Sequence, residues 1–313
     1  MKMNVVLKAL RHPSTIKLWL DSHNIIKMDD DKYLQLCFLH RFGYKPDFEN
    51  PKTFNEKIQW MKLYYRKPEL PKFVDKFTAK EEVAKIIGKE YIIPTIGIYD
   101  NFDEIDFNTL PDQFVIKCTH DCASVIICRD KTKFDIDKAR KKINAALKVK
   151  YYGRNTREWA YSQIKPRIIV EKFMKDKNSD DITDYKFFCF NGEPKVMYIS
   201  VGLENHATAS ISFADMNYNL LDIERADYKA LDKLPPKPKT FEQMKTLARK
   251  LSKGFPQVRV DLYEINGKLY FGELTFYTCG GMVRWRKREY DERLGDLIQL
   301  PKNKIITNER EDN

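Results

Sequence analysis

Four short stretches of this chain hold residue types that could do chemistry, and they come in a definite order along the sequence. The last is the densest. Arg259-Val260-Asp261 is followed, across eleven residues, by Glu273-Leu274-Thr275. Residues two apart in a strand face the same way, so Arg259 shares a face with Asp261, and Glu273 with Thr275. An Asn266-Gly267 turn between them predicts a hairpin. That hairpin would gather two carboxylates, a hydroxyl and a guanidinium in one patch. Mg²⁺ takes oxygen ligands of this kind, and Arg259 offers forked donors to phosphate. The same charges also suit a cross-strand salt bridge on a solvated face.

The other three stretches are weaker alone. Lys117 lies near the end of an apolar run, Phe114 to Cys118, and a small polar loop through Asp121 and Ser124 follows. Backbone N–H groups in such a loop can form an anion nest, but the loop has no glycine and also reads as a plain hairpin. Asp75-Lys76 with Lys80 opens a helix, which alone is an ordinary solvated face. Glu171, Lys172 and Phe173 end a buried strand. Asp184 and Lys186 share a face of the next. His120, beside Asp121, reads as structural or loop-closing rather than as a general base.

The elements that must position these groups change character along the chain. Up to about Gly88 the pattern is helical. Thr53 and Glu56 form a capping box ahead of Ile58, Trp60, Met61 and Leu63, Pro68 and Pro71 break that helix, and another is predicted from about Phe73 to Ile87. From Ile92 strands dominate: Ile96 to Tyr99, Phe114 to Cys118, Val125 to Cys128, Ile168 to Phe173, and Asp184 to Phe190 turning at Asn191-Gly192 into Lys195 to Ile199. Helices are predicted from Asp135 to Val149 and from Thr240 to Leu251. Gly202 to Pro238 reads as irregular surface with a stiff, proline-rich end.

Hydrophobic residues make up 42% and charged residues 32% of the 313, a globular balance. The net charge of +11 favours acidic partners at long range. The six cysteines form no C-x-x-C pair and no His pair has zinc spacing, so reduced thiols in a cytoplasmic protein are expected. Met1 to Ser22 is too short in apolar run for a signal peptide or membrane span. Val5-Val6-Leu7 and Ile16 to Leu20 are candidates for peripheral contact at the inner membrane face, or for packing against the protein's own body.

Taken in order, D-K-x3-K, F-V-I-K with a small loop, V-E-K-F, and R-V-D-x11-E-x-T resemble the ATP-grasp superfamily. Asn50-Pro51-Lys52-Thr53-Phe54-Asn55-Glu56-Lys57-Ile58-Gln59-Trp60, Lys117-Cys118-Thr119-His120-Asp121, Asp184 to Gly192 and Phe271-Gly272-Glu273-Leu274-Thr275-Phe276 resemble, in more detail, its teichuronopeptide-biosynthesis (TupA-like) family from polysaccharide loci. The resemblance runs from about Lys32 to Leu300. It implies an α+β fold: an ATP-grasp pair of lobes gripping ATP, behind a mainly helical N-terminal region (1–105). A central lobe (106–170), a C-terminal lobe with a Mg²⁺-binding hairpin (171–300) and a charged tail (301–313) complete it.

By that likeness Lys76, Lys117 and Lys186 contact the ATP phosphates, and the loop with Asp121 and Ser124 closes over them. Lys172 and Phe173 offer backbone groups to adenine with Glu171 at the same edge, and Asp184 lies near the ribose. Asp261, Glu273 and Thr275 hold Mg²⁺, and Arg259 stabilises the transferring phosphoryl group. The implied reaction is carboxylate–amine ligation through an acyl phosphate. A uronic acid of a surface (capsule-type) polysaccharide or its nucleotide-sugar precursor would accept an amino acid or small amine. Two departures stand out. Relatives carry a Ser-Gly-Gly-like loop where this chain has Cys122-Ala123-Ser124, with Ser124 as the compensating donor. After Phe276 comes a basic aromatic run in which Arg284 and Arg286 are candidates for binding an anionic substrate. Alternatives are a sugar kinase, a glycosyltransferase-type enzyme, or a non-catalytic module for an anionic polymer. No D-x-D element stands at a strand end, since Asp29-Asp30-Asp31 and Asp180-Asp181 read as turns and Asp135-Ile136-Asp137 as a helix start. Paired acids in a phosphate groove disfavour the binding module, and no nucleic acid is expected as a partner.

Overall fold

The computed structural model describes residues 13–23, 25–149, 156–177, 182–201 and 209–306. Val5-Val6-Leu7, Asp180-Asp181 and the end of the charged tail lie outside the described residues. The chain begins with helices α1 (Pro13–Ser22) and α2 (Asp30–Phe42). Asp30 is not a turn residue: it is buried in the first turn of α2 and pairs with Arg66 at 2.7 Å. Arg157 reaches Asp21 at 2.5 Å and lies 4.4 Å from the centre of the Tyr33 ring. Buried ion pairs therefore tie α1 and α2 to the body of the protein. No helix among the described residues is long and apolar enough to cross a membrane.

Helix α3 (Phe54–Tyr64) starts at the expected capping box: Thr53 Oγ1 accepts from the Glu56 N–H at 3.2 Å and Glu56 accepts from the Thr53 N–H at 3.1 Å. Such a cap contributes about 1 kcal/mol. Its polar residues Asn55, Gln59 and Lys62 are buried along one side. Asn55 bonds Val283 through both its amide oxygen and nitrogen, Gln59 donates to Gly280 O and Gly281 O at 2.8 and 2.7 Å, and Lys62 donates to Gly280 O at 2.6 Å. The helix thus clamps the turn Thr278–Gly281. Gly281 has φ +65, and a Cβ there would come within 2.5 Å of Gln59 Nε2.

Asp291 completes this clamp, accepting from Asn55 Nδ2 at 2.9 Å and Trp285 Nε1 at 3.1 Å. Burial pushes its carboxyl up from the usual range to about 6. Between about pH 4 and pH 6 the folded chain keeps a proton that the unfolded chain has released, so this group's stabilising contribution falls as pH rises through that window. We expect a pH slope of up to about 1.4 kcal/mol per unit from it. Denaturant unfolding of the native chain and Asp291→Asn across that range checks this, and identical slopes would refute it.

The predicted helix Phe73 to Ile87 is two helices, α4 (Leu70–Val74) and α5 (Thr78–Ile87). The Asp75 carboxylate accepts from the N–H groups of Phe77 and Thr78 at 3.0 and 2.9 Å, a local bond that replaces the helical ladder. Pro71 begins α4 instead of ending α3.

Two antiparallel sheets follow. The first has strands β1 (Thr95–Tyr99), β2 (Phe114–Cys118), β3 (Ile126–Cys128) and β4 (Ile168–Lys172), in the order β1-β4-β2-β3. One face, with Ile116, Cys118, Ile168 and Val170, packs on Ala139 and Ile143 of α6 (Ile136–Leu147), whose N-cap is Asp135. The register leaves Lys117 and Glu171 on the opposite face. This sheet takes strands from both sides of residue 105 and includes Glu171.

The second sheet has strands β5 (Asp184–Phe190), β6 (Glu193–Val201), β7 (Ser210–Asp215), β8 (Gln257–Ile265) and β9 (Lys268–Thr275), in the order β7-β6-β5-β8-β9. Its two tight hairpins turn at Asn191-Gly192 and Asn266-Gly267, with all four residues at positive φ. Helix α7 (Phe241–Ser252) packs on β5, β6 and β8, and α8 (Arg288–Asp296) on α3. Strand β7 corrects the expectation of irregular structure from 202 to 238. Its apolar Ile211 and Phe213 alternate with Ser210 and Ser212, but the pairing that makes it a strand comes from β6.

Candidate active site

The hairpin sets Asp261 opposite Glu273 and Arg259 opposite Thr275, through a bulge between Asp261 and Leu262 that leaves Gly272 unpaired and shifts by one residue the register counted from Asn266-Gly267. Strand β5 adds Lys186 opposite Asp261. The side chains form one continuous chain of charge. Arg259 binds Asp261 through two hydrogen bonds, at 2.7 and 2.6 Å, and Glu273 at 2.7 Å. Thr275 donates to Glu273 at 2.9 Å. Lys186 bonds Asp261 and is ion-paired with Asp184.

Burial decides the electrostatics. Asp261 is fully buried, and Glu273 stands at the mouth with its carboxylate about half exposed (46%). Burial pushes Asp184 up to about 6 against the pull of Lys186. Burial opposes the charge on Lys186 and Arg259, but Asp261 outweighs it and holds both well above their usual values. Burial also opposes the charge on Glu273, yet Arg259, Lys186 and Lys76 hold it down at about 2.

The first sheet carries a second polar patch. Glu171 accepts from Lys117 at 2.6 Å and is ion-paired with Lys80, which also donates to Ile93 O at 2.8 Å. Although burial favours the neutral acid, Lys117 and Lys80 keep Glu171 below the usual carboxylate range. Glu171 is therefore the anchor of two lysines. Lys80, whose sequence position reads as an ordinary helix face, belongs to the patch. The D-K-x3-K spacing was its only signal, because its burial depends on β4.

Lys76 joins the two patches. Its Nζ donates to Asp121 O, its N–H to Thr119 O at 2.9 Å, and burial pulls its pKa below the usual lysine range. Both Lys117 and Glu273 lie within electrostatic reach of it. The loop that follows Lys117 departs from expectation. Ser124 is buried (2%), accepts from the Cys118 N–H at 2.7 Å and donates to Asp121 Oδ1 at 2.5 Å. Its hydroxyl ties the loop to itself. His120 is also buried and bonds Val149 O at 3.1 Å.

Other predicted residues separate. Lys172 has its backbone N–H committed to Pro94 O at 3.0 Å. Lys172 and Phe173 border an open cleft of about 820 Å³ that also involves Arg129, and none of Lys117, Asp261 or Glu273 lines it. Arg286 is paired with Glu224 at 2.6 Å, whereas Arg284 is exposed with no side-chain hydrogen bond or ion pair among the described residues.

Among the described residues no three or more His, Cys, Asp and Glu side chains cluster as a metal centre. The acids present fit a hard cation nonetheless. One Arg259 nitrogen lies 2.6 Å from an Asp261 oxygen and 2.7 Å from a Glu273 oxygen, so the two carboxylates already converge on a single positive group. An all-oxygen set with two carboxylates and a hydroxyl suits Mg²⁺, which keeps several other ligands from water and phosphate.

Residues 56–299 match the TupA-like ATPgrasp family. No curated protein matches the chain. Similar solved structures include a D-alanine–D-alanine ligase from Bacillus anthracis complexed with ATP, at 15% identity over 65% of this chain and 54% of that one, TM-score 0.38. The corresponding ligase from Helicobacter pylori is 15% identical over 72% of this chain and 61% of that one, TM-score 0.38. The D-cycloserine synthetase DcsG is 14% identical over 67% and 64%, TM-score 0.37. The chain thus spans less than two thirds of the length of each.

Proposed function

The chain belongs to the TupA-like ATP-grasp family, and on that footing we propose that it is an ATP-dependent carboxylate–amine ligase. The observation that supports this reading best is the position of Lys76, in reach of both Lys117 on the first sheet and Glu273 on the second. A polyphosphate laid between the sheets would meet Lys76 and Lys117 on one side and the Arg259 guanidinium on the other.

The roles follow from charge. Lys117 and Lys76 neutralise phosphate oxygens, Glu171 fixes the direction of the Lys117 ammonium, and the backbone about Phe173 borders the base. Asp184 Oδ1 is buried without a hydrogen-bond partner among the described residues, which suits it to accept from a ribose hydroxyl. Asp261, Glu273 and Thr275 would hold Mg²⁺, which when bound supplies charge neutralisation at the transferring phosphoryl group. Arg259 moves its free donors from Glu273 to that group. Lys186 stays beneath, bonded to Asp261. Phosphoryl transfer depends mainly on such positioning and neutralisation. The acceptor is then a carboxylate, activated as an acyl phosphate and attacked by an amine, with ADP and phosphate as products. A uronic acid carboxylate of a polysaccharide precursor, with an amino acid or small amine as its partner, is the proposed substrate pair. Arg284, exposed beyond the hairpin, is the proposed contact to the anionic acceptor.

Incubation with Mg·ATP, uronic acid nucleotide sugars and amino acids should release ADP and phosphate only when a carboxylate and an amine are both present. Lys117→Ala should lower the rate about 100-fold or more, the cost of one preorganised charge at a phosphoryl group. Release of AMP and pyrophosphate would exclude the reading, and turnover with a hydroxyl acceptor alone would make the protein a kinase.

A further inference from the structure

Beyond the metal-binding hairpin lies a group of guanidiniums that the charge network above does not use. The segment Glu224–Ala226 pairs with Arg284–Arg286: Ala226 donates to Arg284 O at 2.8 Å, Arg286 N to Glu224 O at 2.9 Å, and Arg225 bridges Trp285 in antiparallel register. The backbones of Arg225 and Arg284 therefore run side by side, with the Arg225 side chain on the face of Trp285. From the N-terminal region, Arg41 at the end of α2 donates to Met282 O at 3.3 Å, two residues before Arg284. Arg41 and Arg284 thus come together from distant parts of the sequence, with the Arg225 segment paired alongside.

Their compensation is incomplete. Arg225 is held flat by Asp227, with bonds at 2.9 and 2.6 Å, and lies 4.9 Å over the Tyr228 ring. Arg41 contacts a neutral carbonyl, and Arg284 has no side-chain partner among the described residues. Burial and then the repulsion of Arg284 pull Arg41 below the usual guanidinium value. The group borders the reaction site, because Cys279, four residues after Thr275, lies within electrostatic reach of Arg41, Arg225 and Tyr198. Tyr198 in turn lies 5.8 Å from Arg259.

We propose that Arg41 and Arg284, beside the Arg225–Asp227 pair, form an anion subsite for a phosphate or diphosphate group of the acceptor, separate from the ATP phosphates. Asp227 takes the Arg225 fork, so Arg41 and Arg284 supply an excess of two positive charges. That excess matches a phosphate dianion better than a single carboxylate, and guanidinium forks match phosphate oxygens in geometry. The subsite deepens the ligase reading and rests on it for the word acceptor: the molecule that presents its carboxylate near Glu273 would carry its diphosphate here. That diphosphate could come from a nucleotide-linked or a lipid-linked sugar.

The test uses the full chain with Mg²⁺ and a non-hydrolysable ATP analogue at saturation, so that added anions meet an occupied ATP site. Inorganic pyrophosphate is titrated calorimetrically into the native chain and into Arg41→Ala, Arg284→Ala and Arg286→Ala. Pyrophosphate should bind the native chain, Arg41→Ala and Arg284→Ala should each weaken it about tenfold or more, and Arg286→Ala should stay within about twofold. No binding to the native chain, or equal affinity in all four proteins, overturns the subsite. Uridine-diphospho-uronic acid and a short isoprenyl diphosphate form two further arms, and the one whose affinity depends more on Arg284 identifies the source. These arms read binding, not turnover. A chain that binds pyrophosphate here yet makes no ADP keeps the subsite and loses the ligase reading, while ADP formation unaffected by these variants does the reverse.

Discussion

Asp261→Ala should destabilise the folded protein by about 3–5 kcal/mol. Asp261 is fully buried and receives two hydrogen bonds from Arg259 and one from Lys186. Removing it leaves two buried cations without their main counter-charge. Arg259 keeps Glu273, but Glu273 is half in water and offers one contact at 2.7 Å. Lys186 keeps only Asp184, whose carboxyl is itself pushed up to about 6 by burial. Denaturant midpoints measure the effect. A loss under about 1 kcal/mol would mean that the network relaxes around the gap and that Asp261 is not its keystone.

Glu273→Gln should cost less, below about 1 kcal/mol, since its side chain is 46% exposed and Arg259 keeps both bonds to Asp261. Its shape is kept and its side chain stands at the mouth of the site. Its effect falls on the reaction, where we expect ADP formation to drop about 100- to 1,000-fold, the cost of one preorganised electrostatic partner. Rates at saturating ATP and acceptor, together with a melting curve, separate the two effects. A folded variant with near-native rates would remove Glu273 from the phosphoryl-transfer site, and with it the Mg²⁺ assignment. Read together, the two substitutions distinguish a buried anchor from an exposed working group, although both acids belong to the same hairpin.

The hairpin itself was legible in the residues. Asn-Gly at a two-residue turn admits positive φ at both positions, so the hairpin follows from Asn266-Gly267, but counting outward from the turn sets Asp261 opposite Gly272, and only the bulge there brings Glu273 to Asp261 and Thr275 to Arg259. The capping box at Thr53 and Glu56 was legible because both partners lie within one helical turn.

What lay beyond the sequence depended on neighbours far along the chain. Ser124 has the right chemistry to donate to phosphate, but the Cys118 N–H and Asp121 take its hydroxyl, a choice set by how the loop folds back on β2. Lys80 and Glu171 are ninety-one residues apart, and only the docking of α5 on the first sheet makes them a pair. Strand β7 needed β6 beside it to become a strand. Arg41 could not be joined to Arg284 from the sequence, since 242 residues separate them. By itself the sequence determined the turns and the helix cap, while the bulge that aligns Asp261 with Glu273 came with the fold. Tertiary structure alone decided which charges are buried together, because burial and distance between remote segments set whether a carboxylate anchors a lysine, meets a metal or faces water.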